Sequence, residues 1–349
     1  MAPTRKVLSM PDPGTSIRPI YMYTEEQTKM IQALREYTST ICLPPSDPYH
    51  YWESRWLSRP DTHPRYMRAA KWNYGDAQKR IKATLEWRRE FQPDLISPED
   101  VRIEGETGKI ILNGFDVDGR PVIYMRPGRE NTETSPRQLR HLVWWLERAK
   151  DFMPPGQESL VIVVDYKSCT LRTNPSISIA RKVLTILQQH YVETLGRACV
   201  TNLPFILNFF YKGIERFLDP VTRDKLRFNP NLTEIIPESQ LDADFGGSYE
   251  FDFEPKCYWD QIIEICGIAP DGTRTRDIYS NPTEPFNTLP LANNVPRSRS
   301  DSSSGSDSDY KAPVTPKTTG SVRSLNINKA DASVNVEEVS ERRHTVMVG

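Results

Sequence analysis

The 349 residues are 37% hydrophobic and 10% aromatic, enough for a sizeable core and about two domains' worth of chain. Forty-five Lys and Arg against forty-six Asp and Glu leave a net charge of −1, which removes the overall basic excess of a nucleic-acid binder. No apolar run approaches the roughly 18–20 residues that span a bilayer, and the first residues, MAPTRKVLSMPDPG, lack the apolar stretch of a secretory signal.

Five scattered cysteines (Cys42, Cys169, Cys199, Cys257, Cys266) have no CxxC spacing. They suit a reducing compartment and offer neither a disulfide framework nor a zinc site. The expectation is a soluble cytoplasmic protein.

In chain order, Thr24 with Gln27 forms a capping box that opens a helix carrying Met30, Ile31 and Leu34 on one face. Pro44, Pro45 and Pro48 follow it. A second helix, about Asp76 to Phe91, turns Ala77, Ile81 and Leu85 inward and is capped by Asn73 or Asp76. From Arg65 to Phe91 there are eight Lys and Arg against three Asp and Glu, a solvated face or a shoulder toward anionic lipid.

From Lys109 the pattern changes. KIILNGF and PVIYMR flank the Asp116–Arg120 turn as a hairpin. Ser135–Phe152 is an amphipathic helix, and Leu160–Val164 is continuously apolar, as a strand buried on both faces requires. A helix over Ser176–His190, a strand over Ala198–Asn202, a helix over Pro204–Leu218 and a strand near Leu226–Phe228 complete the pattern. Strands alternating with helices predict an α/β fold with a mostly parallel sheet behind a helical N-terminal lobe.

Residues 269–349 differ. Between Pro270 and Gly349 there are fourteen Leu, Ile, Val or Phe and no Trp, too few to bury a core. RSRSDSSSGSDSDY (Arg297–Tyr310) is low-complexity and rich in phosphorylatable serine. This segment reads as a disordered Ser/Pro-rich tail.

Signatures of catalysis are missing. Gly105–Lys109 is mis-spaced for a phosphate loop, and there is no GxGxxG or GxSxG. The five histidines form no HxxxH or HExxH pair, so neither a metal nor a cofactor is expected. Instead, Leu203–Leu218 is apolar nearly all round in its first half, through Phe205, Phe209, Phe210 and Tyr211. Such a helix is either a core helix or a movable lid that dips into a membrane interface. After it, Pro220 opens a helical turn that puts Thr222 and Lys225 on one face, downstream of Tyr191-Val-Glu193, which reads as the end of a helix. Glu193 and Lys225 suit either a surface ion pair or, with Thr222, a polyol phosphate.

The run Tyr66–Phe91, the hairpin DVDGRPVIYMRPGRENT, SLVIVVDYK, QQHYVETLGRACVTNLPFILNFF, FLDPVT with Lys225, and ESQLDADFGGSYEFDFEPKCYW resemble, in order, the CRAL-TRIO lipid-binding family. Lys71-Trp72, Trp87–Phe91, Arg126–Asn131 and Leu146–Pro154 resemble its fungal phosphatidylinositol-transfer branch linked to pleiotropic azole resistance. The resemblance covers about Tyr49 to Gly267. It implies a non-catalytic lipid cradle, with headgroup residues at Glu193, Thr222, Lys225 and Lys71 and a gating helix bearing Phe205, Phe209, Phe210 and Tyr211.

Two family arginines are replaced, by Ala70 and Thr194; each charge-assisted bond not replaced weakens headgroup binding by something like 1–3 kcal/mol. The resemblance thus implies a phosphatidylinositol carrier, peripheral at membranes, with a second phospholipid or a sterol as further ligand. The alternatives are a sterol or other hydrophobic-ligand carrier, and a lipid-gated adaptor for a lipid kinase that uses the tail to hold a protein partner. The implied divisions are 1–48, an extension with one helix; 49–95, the helical lobe; 100–268, the lipid-binding domain; and 269–349, the tail.

Overall fold

The computed structural model describes residues 3–204, 213, 217, 218 and 220–275. The helices and strands described below all fall within the unit Met1–Val295. Both halves of the Thr24–Gln27 capping box open α1 (Glu25–Ile41), which buries Ile31, Leu34 and Thr38. Two helices without a side-chain cap follow, α2 (His50–Ser58) and α3 (Thr62–Ala69). The N-terminus of α4 (Tyr74–Phe91) is capped by Asn73, whose Oδ1 accepts from the Asp76 amide at 2.9 Å. Leu34, Met67, Ile81 and Leu85 form the core of this lobe, and Ala70 is buried against it. A second capping box, Ser97 with Asp100, starts α5 (Pro98–Gly105).

The sheet runs β1 (Ile110–Phe115), β2 (Pro121–Met125), β3 (Leu160–Asp165), β4 (Leu195–Thr201) and β5 (Leu226–Phe228), adjacent in that order. The β1–β2 pair is an antiparallel hairpin, and the other three pairs are parallel. α6 (Pro136–Phe152) and α7 (Ile177–Gln189) make the β2–β3 and β3–β4 crossovers. The apolar run of β3 is buried except at Val164.

The hairpin register shifts between Leu112 and Phe115. Gly114 lies in that bulge at φ +74°, where an added Cβ would stand 2.3 Å from the Gln240 carbonyl oxygen; a β-carbon is excluded there on both counts.

α6 packs on β1 and β2 and is covered by the helix Pro255–Cys266, which stacks Trp259 on Trp144 at 4.7 Å. From the same helix the Tyr258 hydroxyl accepts from the Leu112 amide (2.7 Å) and donates to its carbonyl (3.1 Å). The short α8 (Pro220–Asp224) precedes β5; numbering in chain order makes Pro255–Cys266 α9.

An extended N-terminal strap has no counterpart in the sequence reading. Thr4 bridges Phe251, the Leu8 amide donates to Asn113 Oδ1 at 2.8 Å, and Gln157 donates to the Arg18 carbonyl at 3.0 Å. Among the described residues no helix is long and apolar enough to cross a membrane.

Candidate functional site

One face of the parallel strands is left for a ligand. Ile162 and Val164 of β3, Ala198 and Val200 of β4, and Leu226 of β5 alternate onto it and line a cavity of about 740 Å³. α7 adds Ile179, Val183 and Leu187 to the same cavity. This stripe at helical spacing explains why an amphipathic helix buries only Ile186 in protein. The volume falls within the roughly 300–1,000 Å³ of organic-ligand pockets.

Polar side chains meet this apolar space at both ends of the strands. At the starts of β4 and β5, Glu193, Thr222 and Lys225 line the cavity, joined by Lys71 and Arg80 from the helical lobe. All four headgroup residues expected from the resemblance therefore border one space.

The local backbone shows why. Lys225 is the residue before β5, its carbonyl accepts from the Ala198 amide of β4 at 3.0 Å, and its amide donates to the Thr222 carbonyl at 3.2 Å. Lys71 is exposed, at φ +51° in the turn between α3 and α4. Phe205, Phe209, Phe210 and Tyr211, expected on a gating helix, lie outside the described residues.

Glu193 does not end a helix as expected: α7 stops at Gln189, and Glu193 sits in a turn at φ +57°. Surrounding bonds over-determine this sparsely populated conformation. Arg65 donates to the Val192 carbonyl (3.4 Å) and to Thr194 Oγ1 (3.2 Å), on either side of Glu193. Arg68 Nε stands 3.6 Å from the Glu193 carboxylate. The Tyr191 hydroxyl donates to Glu147 at 2.7 Å.

Glu147 in turn pairs with Arg88 (3.1 Å) and Lys150 (3.6 Å). Burial pushes the Glu147 carboxyl up, but the two cations outweigh it and hold it well below the usual range. Burial likewise pushes the Lys150 ammonium down, to about 8, against the pull of Glu147. The pair Lys71-Trp72 pointed to Lys71 but not to Arg68, which pairs more closely with Glu158, 90 residues away in sequence, than with Glu193.

At the other strand ends, Arg126 follows β2 and its amide donates to the Lys109 carbonyl at 2.7 Å. Lys109, Arg126, Glu130, Thr132, Gln138 and His141 line this end. Lys109 is buried and donates to Glu130 (2.6 Å), to Thr132 (3.3 Å) and to Glu104. Arg126 faces Asp242 (3.6 Å) and Asp244 (3.5 Å). Among the described residues no cluster of His, Cys, Asp or Glu could hold a metal ion.

The CRAL/TRIO domain model matches residues 105–247. The chain is 48% identical over 214 residues to CRAL-TRIO domain-containing protein C23B6.04c of Schizosaccharomyces pombe, covering 61% of this chain and 21% of that one. It is 38% identical over 229 residues to Phosphatidylinositol transfer protein PDR17 of Saccharomyces cerevisiae, covering 62% and 65%. With SEC14 cytosolic factor of Candida glabrata the identity is 27% over 212 residues, covering 54% and 70%. The chain thus spans less than two thirds of the first two relatives. Among solved structures, the crystal structure of Sfh5 superposes with a TM-score of 0.51 at 18% identity, covering 70% of this chain and 98% of that one. That likeness shows the mixed α/β fold.

Proposed function

From the match of residues 105–247 to the CRAL/TRIO domain model, we propose that this protein carries one phosphatidylinositol molecule and exchanges it between membranes. The observation that carries the reading is the convergence of Lys71, Glu193, Thr222 and Lys225 on one end of an apolar cavity. The name of PDR17, a phosphatidylinositol transfer protein, points the same way.

In this reading the acyl chains lie along Ile162, Val164, Val183 and Leu187. Each buried methylene contributes about 0.8 kcal/mol, so the chains dominate affinity. Lys225 and Lys71 take the phosphate, and Glu193 and Thr222 hydrogen-bond the ring hydroxyls. The headgroup end then sets selectivity, because its polar side chains suit a phosphate and ring hydroxyls better than an apolar group. We assign the gate to Leu203–Leu218 on its sequence alone: opening would put its aromatic residues into the membrane interface, and closing would shield the lipid from water.

The test is mass spectrometry of lipid copurified with the full chain. Phosphatidylinositol at near-stoichiometric amount is the expected result. A sterol with no phosphoinositide would overturn the reading in favour of a sterol carrier, the reading that uncharged Ala70 and Thr194 support.

A further inference from the structure

The cavity wall contains a hydrogen-bond donor that the headgroup reading does not use. His141 stands in the first half of α6, lines the cavity and is 1% exposed. One turn on, the indole Nε1–H of Trp145 reaches its Nε2 at 2.8 Å. An indole nitrogen only donates, so Nε2 accepts and the ring proton sits on Nδ1. Burial pushes the imidazole pKa down to about 3, with Lys109 adding to the effect, so the ring is neutral at physiological pH. Nδ1–H has no partner among the described residues.

The surroundings decide what can use this donor. Lys109 is engaged by Glu104, Glu130 and Thr132, and Arg126 by Asp242 and Asp244. An anionic group drawn to Lys109 or Arg126 would meet carboxylates that already hold them; Arg172, which also lines the cavity, is exposed. An uncharged oxygen needs no cation and finds here an N–H fixed by the Trp145 contact. A plain hydrocarbon would leave that N–H desolvated and unmatched, which is costly.

We propose that His141 Nδ1–H donates a hydrogen bond to an uncharged oxygen of the cavity's ligand, a fatty-ester carbonyl or an alcohol hydroxyl. The proposal rests on the lipid-carrier reading and adds a selecting group at the strand ends remote from Glu193 and Lys225. His141 acts by binding, and Trp145 positions it by fixing the tautomer.

The full chain, His141→Leu and His141→Asn would be incubated with vesicles of ether-linked phosphatidylcholine, which has no ester carbonyl. The vesicles carry labelled phosphatidylinositol or labelled cholesterol, and retained label is counted after their removal. The expected result is a roughly five- to tenfold loss of loading in His141→Leu, the size of one hydrogen bond, with His141→Asn partly restored. Loss for phosphatidylinositol alone identifies the carbonyl as acceptor, and loss for cholesterol alone identifies the hydroxyl. Equal loading by wild type and His141→Leu overturns the proposal and leaves the carrier reading standing; a wild type that loads neither lipid overturns both.

His141→Leu also strips Trp145 of its acceptor, so a second measurement is independent of folding in the variant. In ¹⁵N-histidine spectra of the wild type, the Nδ1-bound proton resonance should move on loading. A proton found on Nε2, or an Nδ1–H signal unchanged by loading, overturns the proposal.

Discussion

Arg65 reaches from α3 to Thr194, its Nη1 3.2 Å from the threonine hydroxyl. The family resemblance places an arginine at position 194; here the side chain is uncharged and 2% exposed, and a guanidinium from another element stands beside it. That guanidinium is held by Asp61 at 2.5 Å. Its role is to clamp the turn that presents Glu193, while on the cavity side Arg80 and Lys71 supply the positive charge.

Replacing Arg65 with methionine should therefore act on stability first. It leaves the half-buried Asp61 with Arg59, 3.1 Å away, as its remaining ion-pair partner, and removes both bonds to the Glu193 turn. Breaking such a buried pair costs about 3 kcal/mol. Urea unfolding should show that loss; a change below about 0.5 kcal/mol, the level of an ordinary surface substitution, would mean the turn holds itself.

Arg80→Gln should do the opposite. Arg80 is exposed in the protein and lines the headgroup end, so stability should stay within about 0.5 kcal/mol of wild type. Binding of phosphatidylinositol should weaken by about 1 kcal/mol or more, the scale of one charge-assisted bond. Vesicle transfer together with thermal melting checks both halves.

Two buried histidines, His63 and His141, and the half-buried His190 give the fold an acid limit. Burial pushes His63 and His190 down to about 4 and His141 to about 3, against about 6.5 in an unfolded chain. Between those values the unfolded chain binds protons that the folded one refuses, so stability rises with pH. The contribution is complete above about pH 6.5 and is lost as pH falls toward 4, at about 1.4 kcal/mol per unit for each histidine. The urea midpoint should fall steeply from pH 6.5 to 4.5, and His63→Gln with His190→Gln should flatten the slope. A flat wild-type profile would contradict this.

Two glycines separate backbone strain from crowding. Gly14 is at φ +85° with nothing within 4 Å of an added Cβ, whereas Gly114 at φ +74° would meet the Gln240 carbonyl oxygen at 2.3 Å. Gly14→Ala should cost about 1 kcal/mol, the left-handed penalty alone. Gly114→Ala should cost at least about 2 kcal/mol more, because the hairpin must move off Gln240. Equal costs in chemical denaturation would mean the Gln240 segment yields freely.

The elements most legible in the sequence were those marked by local chemistry. The Thr24–Gln27 box, the Leu160–Val164 run and the amphipathic helix after Ser135 are each set by neighbours within a few residues. α2 and α3 escaped because neither starts with a capping side chain, and α5 escaped although Ser97 and Asp100 mark it. Of the cavity's lining, the residues within motifs (Lys71, Glu193, Thr222, Lys225) were legible in the sequence. Arg65, Arg68 and His141 were not, since their meaning lies in partners brought by the fold: Thr194, Glu193 and a tautomer fixed by Trp145. The strap from Thr4 to Tyr23 was invisible for the same reason, being held by long-range bonds to Phe251, Asn113 and Gln157.

The central claim is that one end of this cavity holds a phosphoinositol headgroup. The most direct measurement is transfer of labelled phosphatidylinositol between vesicles by wild type, Glu193→Ala and Lys225→Ala, with circular dichroism to confirm folding. Transfer by wild type and its loss in both variants is the predicted result. A folded wild type that moves no phosphatidylinositol, or variants that transfer it as fast as wild type, would contradict the account.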